Sequence, residues 1–133
     1  MEQEAIYMAP VQAGITRNDC IRSLIDNGHE HEKWVRMAAQ LRIDVSAQES
    51  VAAVEKAEAI RVAEEAGLLA GKNETERKQK TELALANNSA YQDAVSVASE
   101  TRDALARAEA EVAAAKEQIR VYCAVAGLLE CAA

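Results

Sequence analysis

Two strings in this chain carry side chains suited to chemistry: His29-Glu30-His31-Glu32, and the cations Lys72, Arg77, Lys78 and Lys80. Imidazole and carboxylate are metal ligands, and His29 and Glu32 stand three residues apart, the spacing that shares one face of a helix. A metal site needs three or four converging ligands, however, and the whole chain holds 2 histidines. Acids at the start of a helix are already accounted for by its dipole, so no metal and no cofactor is expected. Cys20, Cys123 and Cys131 have no CxxC spacing and read as free, reduced thiols, which points to a cytoplasmic protein. There is no glycine-rich phosphate loop, no nucleophile elbow and no histidine matched to a cysteine or serine in a catalytic spacing. Glu64-Glu65 is an ordinary pair on a solvated helix face. The chain is not expected to be an enzyme.

The second string fits binding. Lys72, Arg77, Lys78 and Lys80 are four cations interleaved with two acids, Glu74 and Glu76. On a helix Arg77 and Lys80 share one side and Lys78 lies about 100° away, so the patch is broad. On one copy it is a solvated face. Repeated around a symmetric assembly it becomes a belt, and phosphate binding grows with the number of charges engaged. The net charge of −7, from 22 acidic and 15 basic residues, excludes a protein whose whole surface coats nucleic acid but leaves a local patch open.

These residues must be positioned by long helices. Read in sevens from Ser89 to Leu129, Tyr91, Ala98, Leu105, Val112, Ile119 and Ala126 occupy one position and Ala94, Thr101, Ala108, Ala115, Tyr122 and Leu129 another. All but Thr101 are apolar, and the alternating three-four spacing puts them on one seam that demands a partner along its length. Ser89 with Gln92 reads as a capping box for this helix. A second long helix is expected over 29–66, ending at Gly67 or Gly71, with a seam of Trp34, Ala38, Leu41 and Val45. That seam drifts near Gln48 and resumes through Ala53, Ala57, Ile60 and Ala63, which implies a bend or a change of partner. Between them Asn73 and Glu76 start a medium helix over about 74–86, stopped by Asn87-Asn88. A short N-terminal helix is capped by Thr16, with Asp19 in its first turn, and closed by Asn27-Gly28. The fold class is therefore all-α: long antiparallel or oligomeric coiled-coil-like helices, a short N-terminal helix and no sheet.

Residues 1–15, with the single proline Pro10, read as an arm, and 16–133 as one helical domain. No run is apolar enough for a membrane span, and Met1-Glu2-Gln3-Glu4 lacks the positive start of a secretory signal. Half the residues are hydrophobic, yet Phe is absent and there are 1 Trp and 3 Tyr. An alanine-rich seam brings backbones close but buries little area per residue, so part of it is expected to close on other copies. Trp34, Leu41, Tyr91, Leu105, Val112, Ile119 and Tyr122 are the candidate core and oligomer seam.

The order of features resembles the small all-helical phage recombination-mediator proteins: Trp34 near the start of a long helix, a turn with Gly71, the basic Arg77-Lys78 and Lys80 followed by Leu83 and Leu85, an asparagine break and a long C-terminal helix. The resemblance implies a ring-forming protein that binds single-stranded DNA through Lys72, Arg77, Lys78 and Lys80 and helps recombination proteins load. The net acidity and the shortage of aromatic side chains for base stacking depart from that pattern. Two rival readings come from the residues alone: a structural or adaptor scaffold that never touches nucleic acid, and an acidic inhibitor that occupies the basic groove of a host nuclease or defence protein.

Overall fold

The computed structural model describes residues 16–132, with side chains through Leu128. The arm over 1–15, Leu129 and Cys131 therefore lie outside what is described of side-chain structure. Three helices and no strand occur among the described residues: α1 (Arg17–Glu65), α2 (Glu74–Ala86) and α3 (Ser89–Ala132).

The short N-terminal helix expected over 16–27 does not exist as a separate element, because α1 runs unbroken for 49 residues. Asn27 and Gly28 do not end it. The Asn27 Nδ2 donates to the Ser23 carbonyl one turn back at 2.8 Å, so the side chain bonds the helix instead of a turn. Gly28 keeps a negative φ, at a propensity cost of about 1 kcal/mol that long-helix packing absorbs. α1 stops where a left-handed glycine stops it. Gly67 has φ 72°, its N–H donates to the Glu64 carbonyl at 3.0 Å, and the Leu68 N–H donates to the Ala63 carbonyl at 2.9 Å. Those two bonds are the Schellman pattern and satisfy carbonyls the helix leaves open.

The buried or half-buried residues of α1 include Cys20, Leu24, Asn27, His31, Trp34, Ala38, Leu41, Val45, Gln48, Ala52, Glu55 and Ala59, in alternating steps of four and three; Ser23, Gly28 and Asp44 flank this stripe, and Ile60 and Ala63 follow it. The register expected to drift at Gln48 does not drift there: of the expected continuation Ala53 and Ala57 are exposed, whereas Ile60 is half-buried and Ala63 buried. α3 supplies the reason. Its own stripe, Tyr91, Ala94, Ala98, Thr101 and Leu105, is uninterrupted, so α1 holds register by burying the aliphatic stems of Gln48 and Glu55.

The chain divides into two compact units. One comprises 40–105. Within it Glu49 pairs with Arg102 at 3.7 Å, Val51 and Val97 line one groove, and Leu68 and Leu83 line another. Numbers rise on one side as they fall on the other, so this unit is a helical hairpin with its tip at 66–73. The other contains the described residues 16–39 and 106–132. There Trp34 shares a groove with Ala114, Ala115 and Gln118 of α3, and Cys20 and Val125 are its largest fully buried side chains.

Candidate functional site

The four cations singled out by sequence all sit at the hairpin tip, on α2 and the loop before it. Asn73 caps α2 through its side chain, which accepts from the Glu76 N–H at 2.8 Å, and Glu76 reaches back to accept from the Lys72 N–H at 3.3 Å. The two acids of the basic string are thereby placed in the first turn, where the helix dipole favours them, and the cations follow.

The cations then separate into two kinds. Arg77 donates from Nη1 to the Gly71 carbonyl at 3.3 Å, and the Lys80 ammonium donates to the Ala70 carbonyl and lies 3.5 Å from Glu76. Both hold the tip loop against α2. Gly71 is what lets the loop come that close: a Cβ on it would stand 3.0 Å from both Cγ and the backbone N of Arg77. Lys72 and Lys78 are exposed, and among the described residues neither ammonium has an ion-pair or hydrogen-bond partner. The tip also carries an apolar element that the charge pattern hides. Leu68 and Leu83, 61% and 62% exposed, line a groove of about 450 Å³ with Gly67, Lys80, Ala84 and Asn87.

Past the tip, α2 ends at Asn87, whose N–H donates to the Leu83 carbonyl. The cap of α3 is Asn88 and not the expected Ser89: its Oδ1 accepts from the Tyr91 N–H at 2.9 Å. Gln92, read as the partner of Ser89, instead donates from Nε2 to the Leu85 carbonyl at 3.0 Å. The Asn-Asn pair thus links two helices through bonds on both sides.

A second feature of the same unit was not legible in the sequence. Gln48, Val51, Asp93, Ala94 and Val97 line a groove of about 200 Å³. Val51 and Val97 are exposed, as is Val54 one turn on. The Gln48 Oε1 is buried there with no hydrogen-bond partner, an arrangement that costs about 1–3 kcal/mol when a donor is lacking.

Of the sequence-assigned seam, Trp34, Leu41, Tyr91, Leu105, Val112, Ile119 and Tyr122 are half-buried, and Ala98, Ala108 and Ala115 are buried. His29 is exposed and His31 half-buried on the α1 stripe; no cluster of three or more metal-type ligands forms among the described residues. Cys20 is buried, Cys123 is exposed, and both are free thiols. Burial, then the neighbouring Asp19 charge, pushes the Cys20 thiol above its usual range. No helix among the described residues is long and apolar enough to cross a membrane. No family model, curated protein or solved structure matches this chain.

Proposed function

We propose that the chain works by binding and not by catalysis, as a self-associating helical scaffold whose apolar faces are covered by further copies of itself. One observation carries this reading. The fully buried residues are mostly alanines, such as Ala38, Ala59, Ala98 and Ala108, while Ile43, Val51, Val54, Leu68 and Leu83 stay more than half exposed. Apolar surface left in water favours association at about 25 cal/mol per Å² once covered, and clustered exposed apolar residues mark interaction surfaces. Sedimentation at tens of micromolar tests it: a defined multiple of the chain mass is expected, and a monomer removes the reading.

A second reading has its own support. Lys72 and Lys78 hold their charge out from the tip with no partner among the described residues, as a non-specific phosphate contact requires. In this reading the protein is a cytoplasmic accessory of DNA recombination or replication, acting with recombination proteins on single-stranded DNA. An electrophoretic shift that weakens steeply with salt, and that Lys72→Ala with Lys78→Ala reduces, is its expected signature. No shift at low salt excludes it.

A further inference from the structure

We infer that α2 and α3 are one helix interrupted reversibly at Asn88, so that the hairpin tip exchanges between the broken form of this structure and a form in which α2 continues α3.

The interruption is one residue wide. Asn87 keeps right-handed helical dihedrals, φ −89° and ψ −3°, and its N–H still donates to the Leu83 carbonyl four residues back at 3.0 Å. The Gln92 N–H does the same for the Asn88 carbonyl at 3.0 Å. Between them the Asn88 N–H shifts to the Leu85 carbonyl, three residues back, at 3.2 Å, and side chains take over. Asn88 Oδ1 accepts from the Tyr91 N–H, and Gln92 Nε2 donates to the Leu85 carbonyl. The half-buried stripe keeps its phase across the gap. Thr81 and Ala84 of α2, Asn88 itself, and Tyr91, Val95 and Ala98 of α3 follow in alternating steps of three and four, the series a single packed helix shows. Continuing the helix would give the N–H groups of Ser89, Ala90 and Tyr91 the carbonyls of Leu85, Ala86 and Asn87, three backbone bonds in exchange for two side-chain bonds. Against it stands the weak helix propensity of Asn87 and Asn88, but no glycine or proline lies between Glu74 and Ala126 to forbid it.

Little packing fixes the tip in one form. No residue of α2 is buried, and few buried contacts mark the part of a fold that opens most easily. At the far end of the loop Gly67, with φ 72° and nothing within 4 Å of an added Cβ, is a second pivot. Arg77 and Lys80 bond the carbonyls of Gly71 and Ala70, so the loop with Lys72 travels with α2. The tip cations are therefore presented in two orientations, whatever they meet.

Two variants push the exchange in opposite directions, with NMR of the full chain as the readout. Asn88→Ala removes the cap and adds a helix former. Amide exchange at Ser89 and Ala90 is expected to slow by about tenfold or more, with a helical Cα shift at position 88. Ser89→Pro suits the first position of α3, where the Ser89 N–H has no bond among the described residues, but its ring clashes with the Leu85 carbonyl of a continuous helix. It is expected to fix the broken form. Relaxation dispersion at residues 86–91, expected in the wild type on the μs–ms scale, should vanish in both variants. Flat dispersion in the wild type overturns the exchange, and so does dispersion that persists in Ser89→Pro. An Asn88→Ala chain in which Ser89 and Ala90 exchange as fast as in the wild type has only lost a cap, and that overturns the continuous form.

Discussion

The Lys80 ammonium donates to the carbonyl oxygen of Ala70, ten residues back along the chain, and Arg77 does the same for Gly71. Two of four cations that look alike in sequence are thus already donors to the protein's own backbone. Their charge is still felt in solution, but their geometry is committed to closing the loop.

Removing these bonds should loosen the tip and little else. Lys80→Met and Arg77→Ala are each expected to cost about 0.5–1.5 kcal/mol and to speed amide exchange over the loop 66–73. Lys78→Ala, with no bond to lose among the described residues, should leave both unchanged. Equal exchange in all three variants would show that the loop does not depend on Arg77 and Lys80.

Three glycines should respond to alanine with different signs. Gly67 sits at φ 72°, a conformation that costs an L residue roughly 1–2 kcal/mol, so Gly67→Ala should lower stability by that order. Gly28 has helical neighbours and nothing within 4 Å of an added Cβ, so Gly28→Ala should raise it by about 0.5–1 kcal/mol. Gly71→Ala would press on Arg77 at 3.0 Å and should destabilise, since one of the atoms met is backbone. Urea midpoints of the three variants check the order.

The seam residue Leu105 is half-buried on the apolar stripe of α3. Leu105→Asp puts a charge on a half-buried apolar stripe, and a loss of about 2–3 kcal/mol is expected, together with loss of assembly. Unchanged melting and unchanged mass would take Leu105 out of any packing role.

What the sequence could and could not reveal follows from how each signal arises. The bounds of α2 were readable because Asn73 and Asn87 act through local bonds to residues within one turn. The α3 stripe was readable because small and apolar residues recur on it without exception but Thr101. The continuity of α1 was not, since an Asn-Gly pair ends a helix only when nothing distant outweighs about 1 kcal/mol of propensity. Nor was its register at Gln48, where hydropathy favours Ala53 and Ala57 but the unbroken stripe of α3 fixes the face. The division of the tip cations was hidden for a related reason: a charge count cannot distinguish a lysine in water from one bonded to a carbonyl ten residues away. The combination of Gly71 with Arg77 six positions later is the trace such a loop leaves.

The start of α1 gives a pH dependence with a definite sign. The Thr16 hydroxyl accepts from the Asp19 N–H at 3.2 Å, while the Asp19 carboxylate accepts from the Thr16 N–H at 3.0 Å and from the Thr16 hydroxyl at 2.8 Å. The backbone N–H of Thr16 first, then its hydroxyl, hold the Asp19 carboxyl below its ordinary 3.8. A group whose pKa is lower folded than unfolded contributes its stabilisation in full above the unfolded value and loses it as pH falls through the folded one. The first turn of α1 should therefore fray only in acid, below the ordinary range of aspartate, and the Asp19 titration followed by NMR should have its midpoint under 3.8. Salt should separate this cap from the surface pairs. Glu58 and Glu117 are lowered chiefly by bonds to the exposed Arg61 and Arg120, ion pairs that high salt screens, whereas the Thr16 N–H carries no charge to screen. Asp19→Asn should retain an acceptor for the cap and abolish the acid fraying. An Asp19 that titrates at or above its ordinary value would mean that the reciprocal bonds with Thr16 do not hold in solution.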